Sequence, residues 1–87
     1  MRTVEFRVTG RVQGVGFRFF TSNLAGIFKL DGEVWNCHDG SVCGIVTGEA
    51  VDAFLKELTN GPGRVDTVTH STVTREVQSG FQIGPTR

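Results

Sequence analysis

Residues 3–27 read TVEFRVTGRVQGVGFRFFTSNLAGI, and this stretch decides the fold. Its first ten residues alternate between polar and apolar side chains, which predicts a half-buried strand. The apolar set is Val4, Phe6, Val8 and Val12. A glycine-punctuated loop, residues 10–16, comes next. The apolar spacing then changes to three and four residues, which predicts an amphipathic helix. Its apolar positions are Phe17, Phe20, Leu24 and Ile27.

The rest of the chain continues this alternation of strands and helices. Residues 32–36 and 41–47 are short apolar or β-branched runs, and the Asp39-Gly40 dipeptide between them is a strong hairpin signal. A second helix is predicted from helical spacing that ends at the breaker Asn60-Gly61-Pro62-Gly63. Its apolar positions are Val51, Phe54, Leu55 and Leu58. Val and Thr dominate Val65 to Val77, which favours a long strand, and residues 81–83 are a candidate for a short last one.

The predicted order is therefore βαββαβ with a possible terminal strand. Two helices between hairpins and strands pack most simply on one face of a four-stranded antiparallel sheet. We therefore expect an α+β, ferredoxin-like sandwich, with a possible short fifth strand and the other face of the sheet open to water. A length of 87 residues is below the usual size of two independent cores, so residues 1–87 are expected to form one domain.

Composition and charge exclude several functional classes. Nine Lys and Arg balance nine Asp and Glu, so no basic surplus exists to bind a nucleic-acid backbone, and no nucleic-acid partner is expected. No apolar run approaches the ~20 residues of a membrane span, and the N-terminus lacks a signal-peptide pattern. The expected location is therefore the cytoplasm, without membrane association. Cys37 and Cys43 are too few for a disulfide scaffold or a zinc site, so both are expected to be reduced thiols.

The glycine-rich loop is the stretch most suggestive of chemistry. Gly14 and Gly16 allow several backbone N–H groups to face one point at the positive end of the following helix. Arg18 follows at once, and its planar fork of donors fits a phosphoryl group. The alternative is a plain turn followed by an ordinary surface arginine. The loop is neither a Walker loop, because no Gly-Lys-[Ser/Thr] follows, nor a dinucleotide-binding fingerprint, because the sheet is antiparallel.

Two stretches together resemble the signature sequences of the acylphosphatase family. These are GRVQGVGFR at residues 10–18 and GEVWNCHDGSV at residues 32–42, which match in order and spacing. The resemblance implies a small monomeric enzyme that hydrolyses acyl phosphates to a carboxylate and inorganic phosphate, the latter being both product and inhibitor. It implies no metal and no cofactor. Departures occur at Phe28-Lys29-Leu30, where the family commonly has Leu-Gly-Leu, and at Glu33, where an aromatic residue is common.

The resemblance also assigns roles to residues. Arg18 would hold the phosphate, and Asn36 would orient the attacking water. The rest of the phosphate cradle would be the backbone amides of Gln13, Gly14, Val15, Gly16, Phe17 and Arg18. The alternative for Asn36 is a structural residue that hydrogen-bonds the Asp-Gly turn beside it. Strand alternation places Asn36 on the side of Val34, under the helices, and Trp35 on the open face.

Two other functions remain open at this point. Similar modules form the start of a large hydrogenase-maturation carbamoyltransferase, where they handle carbamoyl phosphate, although the short chain leads us to expect the free-standing form. The second is a non-enzymatic ferredoxin-like module that binds a partner through its open sheet face, as RNA-recognition domains do. Trp35 is its one stacking candidate.

Overall fold

The computed structural model describes all 87 residues and contains five strands and two α-helices. The strands are β1 (Arg2–Arg11), β2 (Asp31–Asn36), β3 (Val42–Gly48), β4 (Arg64–Thr72) and β5 (Phe81–Ile83). The helices are α1 (Phe17–Ile27) and α2 (Val51–Glu57), and α2 runs on into a 3₁₀ turn at Leu58–Asn60. No helix is both long and apolar enough to cross a membrane.

The strands form one sheet in the order β4-β1-β3-β2-β5. All neighbours are antiparallel except β2 and β5, which run parallel, so the short fifth strand makes the sheet mixed. The apolar side of β1 meets the same side of β3, with Val4 opposite Val46 and Val8 opposite Val42. These side chains are fully buried beneath the helices. The predicted ferredoxin-like arrangement, with two helices on one face, is confirmed.

Helix α1 buries a face slightly different from the predicted one. Phe17 and Leu24 are buried as expected, but Ile27 is 72% exposed. Phe28, just past the helix, packs against the core instead, because the buried stripe runs through Thr21 and Ala25. The burial of Thr21 was not predicted, because threonine is polar. Its hydroxyl donates a hydrogen bond to the Phe17 carbonyl at 2.9 Å.

The end of α1 has a left-handed residue at one departure from the resembled family pattern. Lys29 has φ 57°, the one positive φ outside glycine, at the position where the family commonly has glycine. The amides of Leu30 and Lys29 donate to the carbonyls of Ala25 and Gly26, at 2.9 and 3.3 Å. This is the Schellman arrangement, which places a left-handed residue after the helix and usually fills it with glycine.

The prediction of a long strand from Val65 to Val77 is wrong at its C-terminal end. β4 stops at Thr72, which pairs with Val4, and one further bond joins the Val73 amide to the Thr3 carbonyl. Beyond this point β1 has almost no residues left to pair with. Residues 73–80 instead cross the sheet face opposite the helices, where Arg75 forms an ion pair with Glu5. The face expected to be open is therefore partly covered.

Candidate active site

Arg18 and Asn36 line the same small pocket, of about 190 Å³. It lies between the start of α1, the end of β2 and strand β5. The wall consists of Val12, Gly14, Gly16, Phe17, Arg18, Phe19, Asn36 and Ile83. The two stretches that carry the family resemblance, 18 residues apart at Arg18 and Asn36, thus meet at one place on the surface.

Two glycines of the loop before α1, Gly14 and Gly16, line this pocket. Gly14 and Gly16 have φ of 74° and 84°, in the left-handed region that glycine enters without steric cost. None of the backbone N–H groups of residues 13 to 19 donates a hydrogen bond of normal geometry within the chain. No side chain caps α1 either. A run of free donors at a helix N-terminus favours an anion.

Two residues of the predicted cradle have side chains outside the pocket. The Gln13 side chain donates from Nε2 to the carbonyl oxygens of Cys37 and Ser41, at 2.7 and 2.9 Å. Val15 is half-buried and packs against the apolar core. Gln13 and Val15 therefore have only backbone groups to offer to a ligand.

The Arg18 guanidinium is half-buried at the pocket wall. Its Nη1 donates to the Gly84 carbonyl at 3.3 Å, a long bond, and this is the one hydrogen bond of the side chain. Because a guanidinium carries five N–H donors, the remaining ones are available to a ligand. Gly84 was missed by sequence reasoning, since nothing in the sequence links the end of the chain to α1.

Asn36 is the last residue of β2 and lies opposite Val42. Its side on the sheet is the one shared with Val34, as predicted, and its side-chain amide has no hydrogen-bond partner in the chain. Its backbone carbonyl accepts from the Arg87 amide at 2.8 Å. The backbone of Asn36 is held in place while its side chain is free to act on a ligand.

The turn after Asn36 is held by Asp39 instead. Its Oδ1 accepts from the amide and the hydroxyl of Ser41, at 2.9 and 2.6 Å, and its Oδ2 accepts from Arg7 at 2.5 Å. The bonds from Ser41, followed by that from Arg7, lower the pKa of the Asp39 carboxyl to about 2. The structural role weighed for Asn36 is therefore already filled by its neighbour.

The pocket also has an apolar rim, which the sequence did not indicate. Phe19 and Ile83 are large apolar side chains that remain 66% and 44% exposed, and both line the pocket. Phe19 was not among the apolar positions predicted for α1, and its place beside Ile83 depends on the fold. An apolar rim suits the organic part of a ligand.

Other residues considered in the sequence lie elsewhere. Trp35 is on the sheet face opposite the helices, as predicted, but it is half-buried under Arg87, whose guanidinium carbon lies 3.8 Å from the ring centre. His38 and His70 are exposed and line no part of this pocket. No group of three or more His, Cys, Asp or Glu side chains is placed to hold a metal ion.

Comparison with known proteins agrees with the resemblance. The acylphosphatase family profile matches residues 4–83. An acylphosphatase of Clostridium acetobutylicum is 39% identical over 88 aligned positions, which cover 95% of this chain and 97% of that protein. The crystal structure of acylphosphatase from Bacillus subtilis superposes with a TM-score of 0.93 at 34% identity, covering 97% of this chain and 99% of that one. The structure of HypF from T. kodakarensis matches at a TM-score of 0.84 and 26% identity, covering 98% of this chain but 12% of that one.

Proposed function

The chain belongs to the acylphosphatase family, and on that premise we propose that the pocket beside Arg18 is where it hydrolyses acyl phosphates to a carboxylate and inorganic phosphate. The observation that carries this assignment is the meeting of Arg18, Asn36 and the two left-handed glycines in one small pocket. The matches to whole small acylphosphatases cover both chains almost completely, whereas the match to HypF covers 12% of that chain.

In this proposal the phosphate sits against the free amides of residues 13–18. Gly14 and Gly16 turn these amides toward the pocket, and the N-terminal end of α1 adds its positive dipole. The unpaired donors of the Arg18 fork close on two phosphate oxygens. The Gly84 carbonyl keeps the guanidinium at the pocket wall before the substrate arrives, which reduces the cost of ordering it.

The leaving group of the substrate explains why Arg18 and the loop amides suffice for catalysis. An acyl phosphate expels a carboxylate whose conjugate acid has a pKa near ~4, so no protein acid is needed to protonate it. The transition state of phosphoryl transfer is loose, with charge on the equatorial oxygens. Preformed donors that stabilise this charge therefore supply most of the acceleration. Arg18 and the loop amides provide them without a metal ion or cofactor.

Asn36 orients the attacking water. Its side-chain amide has no partner in the chain and lines the pocket, so its carbonyl oxygen is available to accept a hydrogen bond from water. The proton of that water passes to a phosphate oxygen of the substrate, which makes a strong protein base unnecessary. The exposed Phe19 and Ile83 lie at the rim, where the acyl part of the substrate extends from the phosphate site.

The test is hydrolysis of benzoyl phosphate by the purified protein, followed by loss of ultraviolet absorbance, with and without EDTA. We expect turnover well above buffer, equal rates with EDTA, and inhibition by inorganic phosphate. A rate equal to that of buffer would remove the enzymatic function, and a rate lost in EDTA would remove the metal-free mechanism.

We propose further that residues 1–87 act as one domain, as a monomer, in the cytoplasm. A single sheet and one continuous apolar core support the first statement. Sedimentation equilibrium at the assay concentration tests the monomeric state, with a mass near 9.5 kDa expected. A dimer mass would contradict it.

A further inference from the structure

Cys37 and Cys43 lie on the two sides of the turn that follows Asn36, and their sulfur atoms are 3.0 Å apart. Neither cysteine is in a disulfide, and the Cys37 thiol donates a hydrogen bond to the Cys43 sulfur. Cys43 lies directly opposite Trp35 in the β2–β3 register, and Cys37 is two residues beyond Trp35, so both thiols lie on the sheet face opposite the helices. From this juxtaposition we infer that the pair is an oxidation site that closes to an intramolecular disulfide and thereby slows the hydrolytic reaction.

The distance between the sulfur atoms supports bond formation without a rearrangement of the fold. A disulfide has an S–S length of about 2.05 Å, so the two sulfur atoms need to approach by about 1 Å. The two residues also flank a short turn whose ends are already joined, because the Cys37 amide donates to the Ser41 carbonyl at 2.9 Å. The chain thus holds the two thiols together in the reduced state.

A small oxidant has access to one thiol of the pair. An open depression of about 420 Å³ lies on this face and includes both cysteines, with Arg7, Trp35 and His70 also in its wall. Cys37 is half-exposed, whereas Cys43 is buried. Burial, followed by the contact with Cys37, raises the pKa of the Cys43 thiol. Cys37 is therefore the thiol that reacts first.

The oxidant is a low-molecular-weight disulfide. The Cys37 thiolate attacks one of its sulfur atoms, forming a mixed disulfide and releasing one small thiolate. The Cys43 thiolate then attacks the Cys37 sulfur, which forms the Cys37–Cys43 bond and releases the second small thiolate. The two protein thiol protons leave with the released thiols. Two protein thiols are oxidised and one small disulfide is reduced to two thiols.

The bond would act on the site through the backbone of Cys37. Cys37 directly follows Asn36, and its carbonyl accepts the 2.7 Å hydrogen bond from Gln13 of the phosphate loop. A shift of Cys37 toward Cys43 therefore moves Asn36 and pulls on Gln13 at once. A displacement of about 1 Å at a positioning group can cost up to about 10²-fold in rate. Cys37 is in this sense a positioning residue, and its effect on turnover rests on the proposed function.

The experiment treats the intact chain with glutathione disulfide and follows three quantities on one sample. These are the intact mass, the number of thiols alkylated by iodoacetamide, and kcat with benzoyl phosphate, each before and after dithiothreitol. The controls are Cys37→Ser and Cys43→Ala, neither of which can form the bond. A far-ultraviolet circular dichroism spectrum verifies that every sample is folded.

We expect the oxidised wild-type chain to lose both thiols together, to be lighter by two hydrogen atoms and to retain no glutathione. Its kcat should fall at least about tenfold and recover with dithiothreitol. Cys37→Ser lacks the thiol that reacts first and should keep its own kcat under oxidation, whereas Cys43→Ala should stop at the mixed disulfide and gain the mass of one glutathione. Two free thiols in the wild-type chain after treatment, or a stable mixed disulfide there, would overturn the oxidation site. A disulfide with unchanged kcat would overturn its effect on the reaction. Absence of turnover in the untreated chain would contradict the proposed function, while the mass still decides whether the bond forms.

Discussion

The Gln13 side-chain amide lies 2.7 Å from the Cys37 carbonyl oxygen, and this bond joins the phosphate loop to the turn after Asn36. A second bond from the same nitrogen, to the Ser41 carbonyl at 2.9 Å, fixes the other side of the turn. Gln13 itself has no side-chain atom in the pocket. The two halves of the candidate site, which come from different elements, are therefore held in register by a side chain that lies outside the pocket.

Replacement of Arg18 tests how the phosphate is bound. In Arg18→Lys the charge remains but the planar fork is lost, so we expect kcat/KM to fall by about 10²-fold or more and inhibition by inorganic phosphate to weaken. The matched control is Arg11→Gln, because Arg11 is exposed at the end of β1 and lines no part of the pocket. Its kinetics should change much less. Unchanged phosphate inhibition in a folded Arg18→Lys sample would contradict the assignment.

Replacement of two different glycines, Gly14 and Gly26, separates the effect of the loop conformation on phosphate binding from general effects on stability. A Cβ at Gly14 meets nothing within 4 Å, so the cost of Gly14→Val comes from φ 74°, which a β-branched residue rarely adopts. We expect the loop to change conformation and phosphate inhibition to be lost, although no side-chain ligand is removed. Gly26→Ala, inside α1 with equally open space, should instead be neutral or stabilising by about 1 kcal/mol.

These two variants require inhibition constants and thermal unfolding curves on the same samples. If Gly14→Val binds phosphate as tightly as wild type, the turned amides are not the cradle. A strong loss of binding in Gly26→Ala would show that the assay responds to any glycine replacement.

Much of the fold was predictable because local patterns and tertiary packing agree. The alternation in β1 and the Asp39-Gly40 turn both place side chains where the sheet needs them. The end of β4 was not predictable, because Val65 to Val77 has strand propensity throughout, and the strand ends only where β1 has no more residues to pair with. The path of residues 73–80 depends on that long-range limit and carries no local signal.

The candidate site was predictable where its residues belong to contiguous sequence motifs. Arg18 and Asn36, which the structure brings to one pocket, were proposed from the two signature stretches, and the strand alternation predicted the side of the sheet on which Asn36 lies. Three features of the site were not predictable from the sequence. They are the Gly84 carbonyl that accepts from Arg18, the unpaired side-chain amide of Asn36, and the two hydrogen bonds donated by Gln13. Each depends on residues brought together by the fold. The proximity of Cys37 and Cys43 follows from register and was missed for the same reason.

Acid denaturation tests whether the Asp39 carboxylate stabilises the turn that follows Asn36. The pKa of Asp39 is lowered from 3.8 to about 2 in the folded chain, so as the pH falls the unfolded chain takes up this proton first. Its contribution to stability is complete above about pH 4 and is lost as the pH falls to about 2. We expect Asp39→Asn to flatten the dependence of Tm on pH in this window.

Ser41→Ala is the companion variant, because the Ser41 hydroxyl bond is the largest cause of the lowered pKa. This variant keeps the Asp39 carboxylate, and we expect it to flatten the dependence of Tm on pH between pH 4 and pH 2 less than Asp39→Asn does. Wild-type slopes between pH 4 and pH 2 in both variants would show that this carboxylate does not stabilise the turn.

The most direct test of the central claim is the measurement of kcat, phosphate inhibition and Tm on one Asn36→Ala sample. If Asn36 orients the attacking water, kcat should fall by roughly 10²-fold, together with kcat/KM. The phosphate inhibition constant should change little, because Arg18 and the loop amides make the ground-state contacts. The Tm should stay near that of wild type, because Asp39 and Gln13 hold the turn. A near-wild-type kcat per folded molecule, with a lowered Tm, would contradict the catalytic role and leave Asn36 as a structural residue.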